Sequence, residues 1–241
     1  MDKKKIAYQL DTPYSAVSWP DVTLEDQETI LELLCALLAP LGQYRSTHVH
    51  VSKGKRDRRR KRKVSGTSPN GLPPPPVPEI QSHIDVGLAA VTRSLQKAAS
   101  EGWEVESNPE RELPSAAPPA PPYAAIFVAR SGQPSALNSH LPQMIAVAST
   151  SHPSQPPIRL VGLSKSYGDR LSESLGIPRV SCIGLRQNAL NSKALVEFTR
   201  QHVPAIEIKW LDEARRAEYL EKNIKEIKTF VGSKRVKPHA T

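Results

Sequence analysis

The chain has 241 residues, 38% of them hydrophobic, and a net charge of +9 from 33 Lys and Arg against 24 Asp and Glu. That is enough apolar material for one core, and with no stretch near the ~18 apolar residues of a membrane span it disfavours membrane insertion. Met1-Asp2-Lys3-Lys4-Lys5 leads into no apolar h-region, which disfavours secretion, and Cys35 and Cys182 lack metal-ligand spacing, so both are expected as buried thiols in a reducing compartment.

Residues 1–22 read as an N-terminal extension. A helix follows: Thr23 can cap it, Asp26 places an acid in its first turn, and Ile30, Leu31, Leu34, Leu37, Leu38 and Leu41 recur at helical spacing. Pro40 and Gly42 are expected to close it. Thr47-His48-Val49-His50-Val51 alternates with period two and predicts a strand, completing a first segment of the domain over 23–51. His48 and His50 would share a face of that strand, but two histidines without an acidic or thiol partner do not make a metal site.

Next comes the densest charge in the chain. Lys53, Lys55, Arg56, Arg58, Arg59, Arg60, Lys61, Arg62 and Lys63 surround a single Asp57, so this run holds nearly all of the net charge and the rest of the chain is almost neutral. Charge this dense repels itself and cannot be buried, which implies a solvated arm attracted to a polyanion: RNA, DNA, an acidic protein or a nuclear import receptor. The proline run Pro73-Pro74-Pro75-Pro76 follows, and residues 52–78 together read as a basic and Pro-rich disordered insert.

Ile80, Ile84, Leu88, Val91, Leu95 and Ala98 form a stripe that predicts a helix within 79–106. Gly87 interrupts the stripe, marking either a helix start or a place where another backbone must come close. Thr92 and Arg93 form a polar edge beside it. Residues 107–122, with Pro114, Pro118, Pro119, Pro121 and Pro122, read as a second linker.

From 123 to 211 strands and helices alternate. Tyr123 to Ala129, Ile158 to Leu163 and Val180 to Leu185 predict buried strands; Asn138 to Ala146, interrupted by Pro142, Ser166 to Leu175, closed by Gly176, and Ser192 to His202 predict helices. Residues 212–241 read as a basic C-terminal helix or tail with Leu220, Ile224 and Ile227 on one face. The expected fold class is therefore α/β, a three-layer αβα sandwich interrupted by the two inserts. Such a layout invites catalysis, yet no dinucleotide-binding or phosphate-binding glycine loop follows a strand, and no nucleophile or zinc-protease motif is present. Asp169 and Glu173, four apart, are expected as solvated carboxylates. No enzyme site and no cofactor are expected.

Two stretches carry a resemblance. Gly87-Leu88-Ala89-Ala90-Val91-Thr92-Arg93 is similar to the Gly-x-Asn-Glu-x-Thr-Lys/Arg pattern that opens the RNA-contacting helix of the kink-turn-binding superfamily of small ribosomal and box C/D snoRNP proteins. Gly176-Ile177-Pro178-Arg179-Val180 is similar to that superfamily's second RNA-contacting region. Within it, the Val-Gly-x-x-x-x-Thr-Arg after a proline-rich insert and Trp210 near the C-terminal tail resemble the fungal protein subunit of RNase P and RNase MRP. The likeness spans roughly Val22 to Val231 without the inserts.

That resemblance implies a non-catalytic RNA-binding subunit acting in tRNA 5′ processing and rRNA processing, with catalysis in the RNA and a place in the nucleus and nucleolus. It implies that Gly87, Leu88, Thr92, Arg93, Ile177, Pro178, Arg179 and Val180 contact a bent RNA element, with the basic arm adding electrostatic grip. Partners would be the RNase P and MRP RNAs, other protein subunits of the same particle and an import receptor, and no membrane. Ala89 and Ala90 replace the Asn and Glu that read the sheared G·A pairs of a kink-turn, so those base contacts are absent. The alternatives are a ribosome-biogenesis or box C/D snoRNP protein of the same fold and, in another class, an αβα enzyme with an unrecognised cofactor site.

Overall fold

The computed structural model describes residues 4–11, 17–48, 75–107, 121–130, 133–216 and 223–230. They form two compact units, Ser18–Glu207 and a smaller one drawn from Met1–Val17 and Ile208–Thr241. In the smaller unit, β1 (Lys4–Asp11) pairs antiparallel with β6 (Asn223–Phe230), Lys4 opposite Phe230 and Asp11 opposite Asn223. This corrects the C-terminal helix expected within residues 212–241. Ile224 and Ile227, three apart, fit one helical face, but β1 offers a ladder of backbone partners that no local periodicity reveals. A short helix, Lys209–Arg215, precedes β6 by several residues.

The larger unit begins with α1 (Leu24–His48). Thr23 Oγ1 accepts the Asp26 N–H at 3.2 Å and donates its own proton to the Asp26 carboxylate at 2.6 Å, so the predicted cap forms. The helix does not stop at Pro40 and Gly42. It runs to His48, where a strand was expected over Thr47 to Val51: Thr47 Oγ1 bonds the Gln43 carbonyl at 2.9 Å, and the Tyr44 and His48 rings lie 5.0 Å apart. Proline inside a helix costs about 3 kcal/mol, and burial of Leu38 and Leu41 offsets it. Val49 to Val51 lie outside the described residues, as do the basic run and most of both proline-rich segments.

After a 3₁₀ turn at Glu79–His83 come β2 (Ile84–Val86) and α2 (Leu88–Ser107). The stripe read as one helix therefore splits at Gly87, because Ile84 to Val86 are taken up by pairing with a distant strand. Then follow β3 (Tyr123–Ala129), one helical turn α3 (Ser135–Asn138), α4 (Leu141–Thr150), β4 (Arg159–Leu163), α5 (Lys165–Leu175), β5 (Cys182–Arg186) and α6 (Lys193–His202). Pro142 starts α4 rather than interrupting a helix, since at the first turn its missing N–H leaves no bond unmade. No described helix is long and apolar enough to cross a membrane.

The strand order is β2-β5-β3-β4, with β3 and β4 parallel and β5 antiparallel to both β3 and β2. β3 is buried at every residue, and its alternation feeds two cores. Ala125 and Phe127 join Val161, Leu163, Ile183 and Leu185 beneath α1, α5 and α6; Ile126 and Val128 join Leu160 and Cys182 beneath α2 and α4. Helices thus cover both faces, as the expected αβα sandwich requires. Gly42 fixes one crossing: a Cβ there would lie 1.9 Å from the Ser174 carbonyl oxygen, so only glycine lets α1 touch the end of α5.

Candidate nucleic-acid interface

Everything proposed to touch RNA within the folded part depends on how the chain enters α2 and leaves α5. Gly87 caps α2 in a backbone state that side chains rarely adopt, φ +100°, and its carbonyl accepts the first helical bond from Val91 N–H at 3.2 Å. Its own N–H donates to the Cys182 carbonyl at 2.8 Å. A Cβ on Gly87 would meet nothing within 4 Å, so the glycine serves backbone geometry and leaves open space beside the helix start.

The second stretch ends α5. Gly176 takes φ +62° as the helix cap, Ile177 N–H donates to the Ser172 carbonyl at 3.1 Å, and Val180 N–H donates to Ser172 Oγ at 2.9 Å. Between them Arg179 sits at φ +60°, a left-handed state that costs a non-glycine residue about 1–2 kcal/mol. Ile177 is half-buried against the core, Val180 is buried, and Pro178 and Arg179 are exposed. Because β5 starts two residues after Val180, the Gly87 to Cys182 bond brings the two stretches together at one end of the sheet, 95 positions apart in sequence.

On α2, Leu88 packs partly into the core and Arg93 is exposed. Thr92, for which the resemblance implies an RNA contact, has its Oγ1 shut off from solvent and without a hydrogen-bond partner among the described residues. The exposed Ala89 adds only a methyl group to this rim. The nine cations from Lys53 to Lys63 lie outside the described residues. Asp169 and Glu173 are solvent-exposed as expected, Cys182 is buried, and Cys35 is a half-buried free thiol.

Sequence reading missed the cluster that holds this rim in place. Arg186, at the end of β5, donates to the Asp85 carboxylate at 2.6 Å, Ser94 Oγ at 3.0 Å and the Pro121 carbonyl at 2.9 Å, and its guanidinium lies 4.9 Å from the Tyr123 ring centre. Tyr123 donates its phenol to Asp85 as well. Asp85 precedes Gly87 by two residues and Ser94 follows on α2, so both sides of the Gly87 turn are anchored to β5. Burial, then the bond to Asp85, push the Tyr123 phenol up. A lone Asp between Ile84 and Val86 was the only signal, and nothing local pairs it with an arginine 101 positions away. Also unanticipated is Arg130, just past β3, whose guanidinium lies 5.0 Å from the Trp19 ring.

The described surface offers exposed backbone and cations on a rigid αβα frame, and no group of three or more His, Cys, Asp or Glu among the described residues could hold a metal. Residues 76–213, more than half of the chain, match the RNase P subunit Pop3 family, and the chain belongs to that family. No curated protein matches it.

Proposed function

We propose that this chain is a non-catalytic, RNA-binding subunit of nuclear RNase P, acting in tRNA 5′ processing, and of RNase MRP in rRNA processing, with catalysis carried by the RNA. One observation carries the RNA-binding reading: the Gly87 to Cys182 bond joins an open helix start with a strained arginine turn, the two stretches that resemble the contacts of kink-turn-binding proteins. Family membership supports the particle.

Gly87 leaves room for an RNA backbone, Arg93 and Arg179 bind phosphate or a base edge, and Ile177 and Pro178 cover an exposed base, with the buried Val180 anchoring the stretch to the core rather than touching RNA. With Ala89 and Ala90 in place of Asn and Glu, the bent RNA is recognised by shape and phosphate positions rather than by its sheared pairs. The Lys53 to Lys63 run adds affinity without selectivity, and it recruits the import receptor that brings the chain to the nucleus and nucleolus.

Crosslinking a tagged copy to RNA in cells and sequencing what is recovered tests the assignment. Enrichment of RNase P and MRP RNAs is expected. Recovery of snoRNA or pre-ribosomal RNA without either of them assigns the chain to ribosome assembly instead.

A further inference from the structure

Among the described residues, two arginines on the α6 side of the sheet have no counterion. Arg159 opens β4 and, by alternation with Val161 and Leu163, projects toward the α6 side. On α6, Leu195, Thr199 and Val203 face the core, while Phe198 and His202 turn toward α1, where His202 meets Asp26 at 2.7 Å. Helical spacing puts Arg200 on the other flank, on the side of Arg159, whose guanidinium is destabilised by burial and by the Arg200 charge. Both Nε atoms are sealed from solvent with no hydrogen-bond partner, and among the described residues neither arginine forms an ion pair. Elsewhere this protein pairs its half-buried arginine: Arg186 has Asp85, Ser94 and a carbonyl. Two half-buried guanidinium groups on neighbouring elements oppose each other's charge, and an anion with several acceptor oxygens would satisfy both.

We propose that Arg159 and Arg200 form a second anion-binding site that takes a backbone phosphate of RNA, apart from the rim at Gly87. The proposal rests on the RNA-binding reading above. A phosphodiester suits it because its two unshared oxygens can each take a guanidinium, and membership in a ribonucleoprotein subunit family favours RNA over an acidic protein side chain. Arg159 lies opposite Ala125 on β3, and Cys182, which holds Gly87, lies opposite Val128. Three residues along the strands and three strand spacings across separate Arg159 from Gly87 by roughly 17 Å. One phosphate cannot reach both, so a folded RNA would be held at two points.

The test uses the full chain and transcribed RNase P RNA, with Arg159→Gln, Arg200→Gln, Arg159→Lys and, as the reference for the rim, Arg93→Ala. Affinity is measured at several salt concentrations, and phosphate contacts are mapped by ethylation interference. Each Gln variant is expected to weaken binding about tenfold and to reduce the salt slope by about one phosphate, with the double variant little worse than either single one. Arg159→Lys should restore part of the affinity. The interference position lost in Arg159→Gln should differ from that lost in Arg93→Ala, and melting temperatures should not fall, since removing one guanidinium relieves repulsion. If wild type binds and Arg93→Ala weakens it while the Gln variants match wild type, the second site is wrong and the rim stands. Loss of a protein neighbour on reconstitution, with RNA affinity unchanged, overturns the phosphate assignment in favour of an acidic protein. If wild type itself does not bind this RNA, the functional reading fails first.

Discussion

Where β3 begins, Arg186 holds Asp85, Ser94 and a backbone carbonyl, and Tyr123 closes the group; where β3 finishes, Gly87 and Arg179 sit at positive φ, and among the described residues Arg93 and Arg179 have no ionic partner. The paired end gains from each of its contacts. The open end carries strain that the rest of the fold must hold, and strain that persists is expected where a partner makes use of it. The contrast separates stability from binding: damage to the paired end should lower both, whereas changes at the open end should uncouple them.

The largest effect is expected from Asp85→Ala, which leaves Arg186 half-buried and unpaired and frees both sides of the Gly87 turn. A loss of about 2–3 kcal/mol is expected, below the range for a fully buried pair because part of the cluster is solvated. Urea denaturation measures it, and a wild-type midpoint would mean that the cluster does not hold the rim. Gly87→Ala comes next. With no atom waiting for the new Cβ, its whole cost is backbone strain, about 1–2 kcal/mol, and RNA affinity per folded molecule should fall further than that figure alone implies. Equal melting and equal affinity would remove Gly87 from the interface.

Arg179→Gly should move the two quantities in opposite directions. Glycine relieves the left-handed residue, so stability rises by up to about 1 kcal/mol, while binding to the bent RNA drops and binding to a plain duplex changes little. A variant that is less stable would show that Arg179 is held by contacts inside the fold.

The smallest effect at ordinary pH concerns one buried group at each end. Tyr123 is pushed up by burial and by Asp85, and burial pushes the Cys182 thiol up to about 12. Both raised groups favour the protonated, folded state, so their contribution is whole below the unfolded values near 9 and 10. It is lost as pH rises through the folded ones. Stability should therefore hold to about pH 9 and fall above it, whereas Tyr123→Phe with Cys182→Val should flatten the alkaline limb. An unchanged limb would place the alkaline weakness elsewhere.

What could be read from the sequence follows the range of the forces involved. The α1 cap, the three strands with continuous apolar runs, and α5 with Gly176 behind it are decided within a dozen residues, and all appear as expected. β2 is three residues long and exists only because β5 pairs with it, so its sequence was absorbed into a helical stripe. Pro40 misled because a local penalty was overruled by packing against α5. For the interface, Gly87 and the Ile177 to Val180 stretch were visible as motif and spacing. Their contact at 2.8 Å, the Asp85 to Arg186 anchor and the Arg159 with Arg200 pair were not, since each joins residues far apart in the chain. The smaller unit had a readable half: Ile6, Tyr8 and Leu10 alternate, although the partner strand did not announce itself.

That ribbon has a consequence in time. Thr229 Oγ1 reaches the Lys5 carbonyl from 224 positions away, and Ile6, Tyr8, Leu10 and Ile224 stay largely exposed on the ribbon even once it is paired. At 5–20 residues per second, synthesis of the intervening chain takes roughly 10–45 s, during which β1 has no mate for its backbone groups. An apolar strand waiting that long is open to pairing with a neighbouring nascent chain. The ribosome-bound protein, more than the finished one, is therefore where a chaperone would be needed.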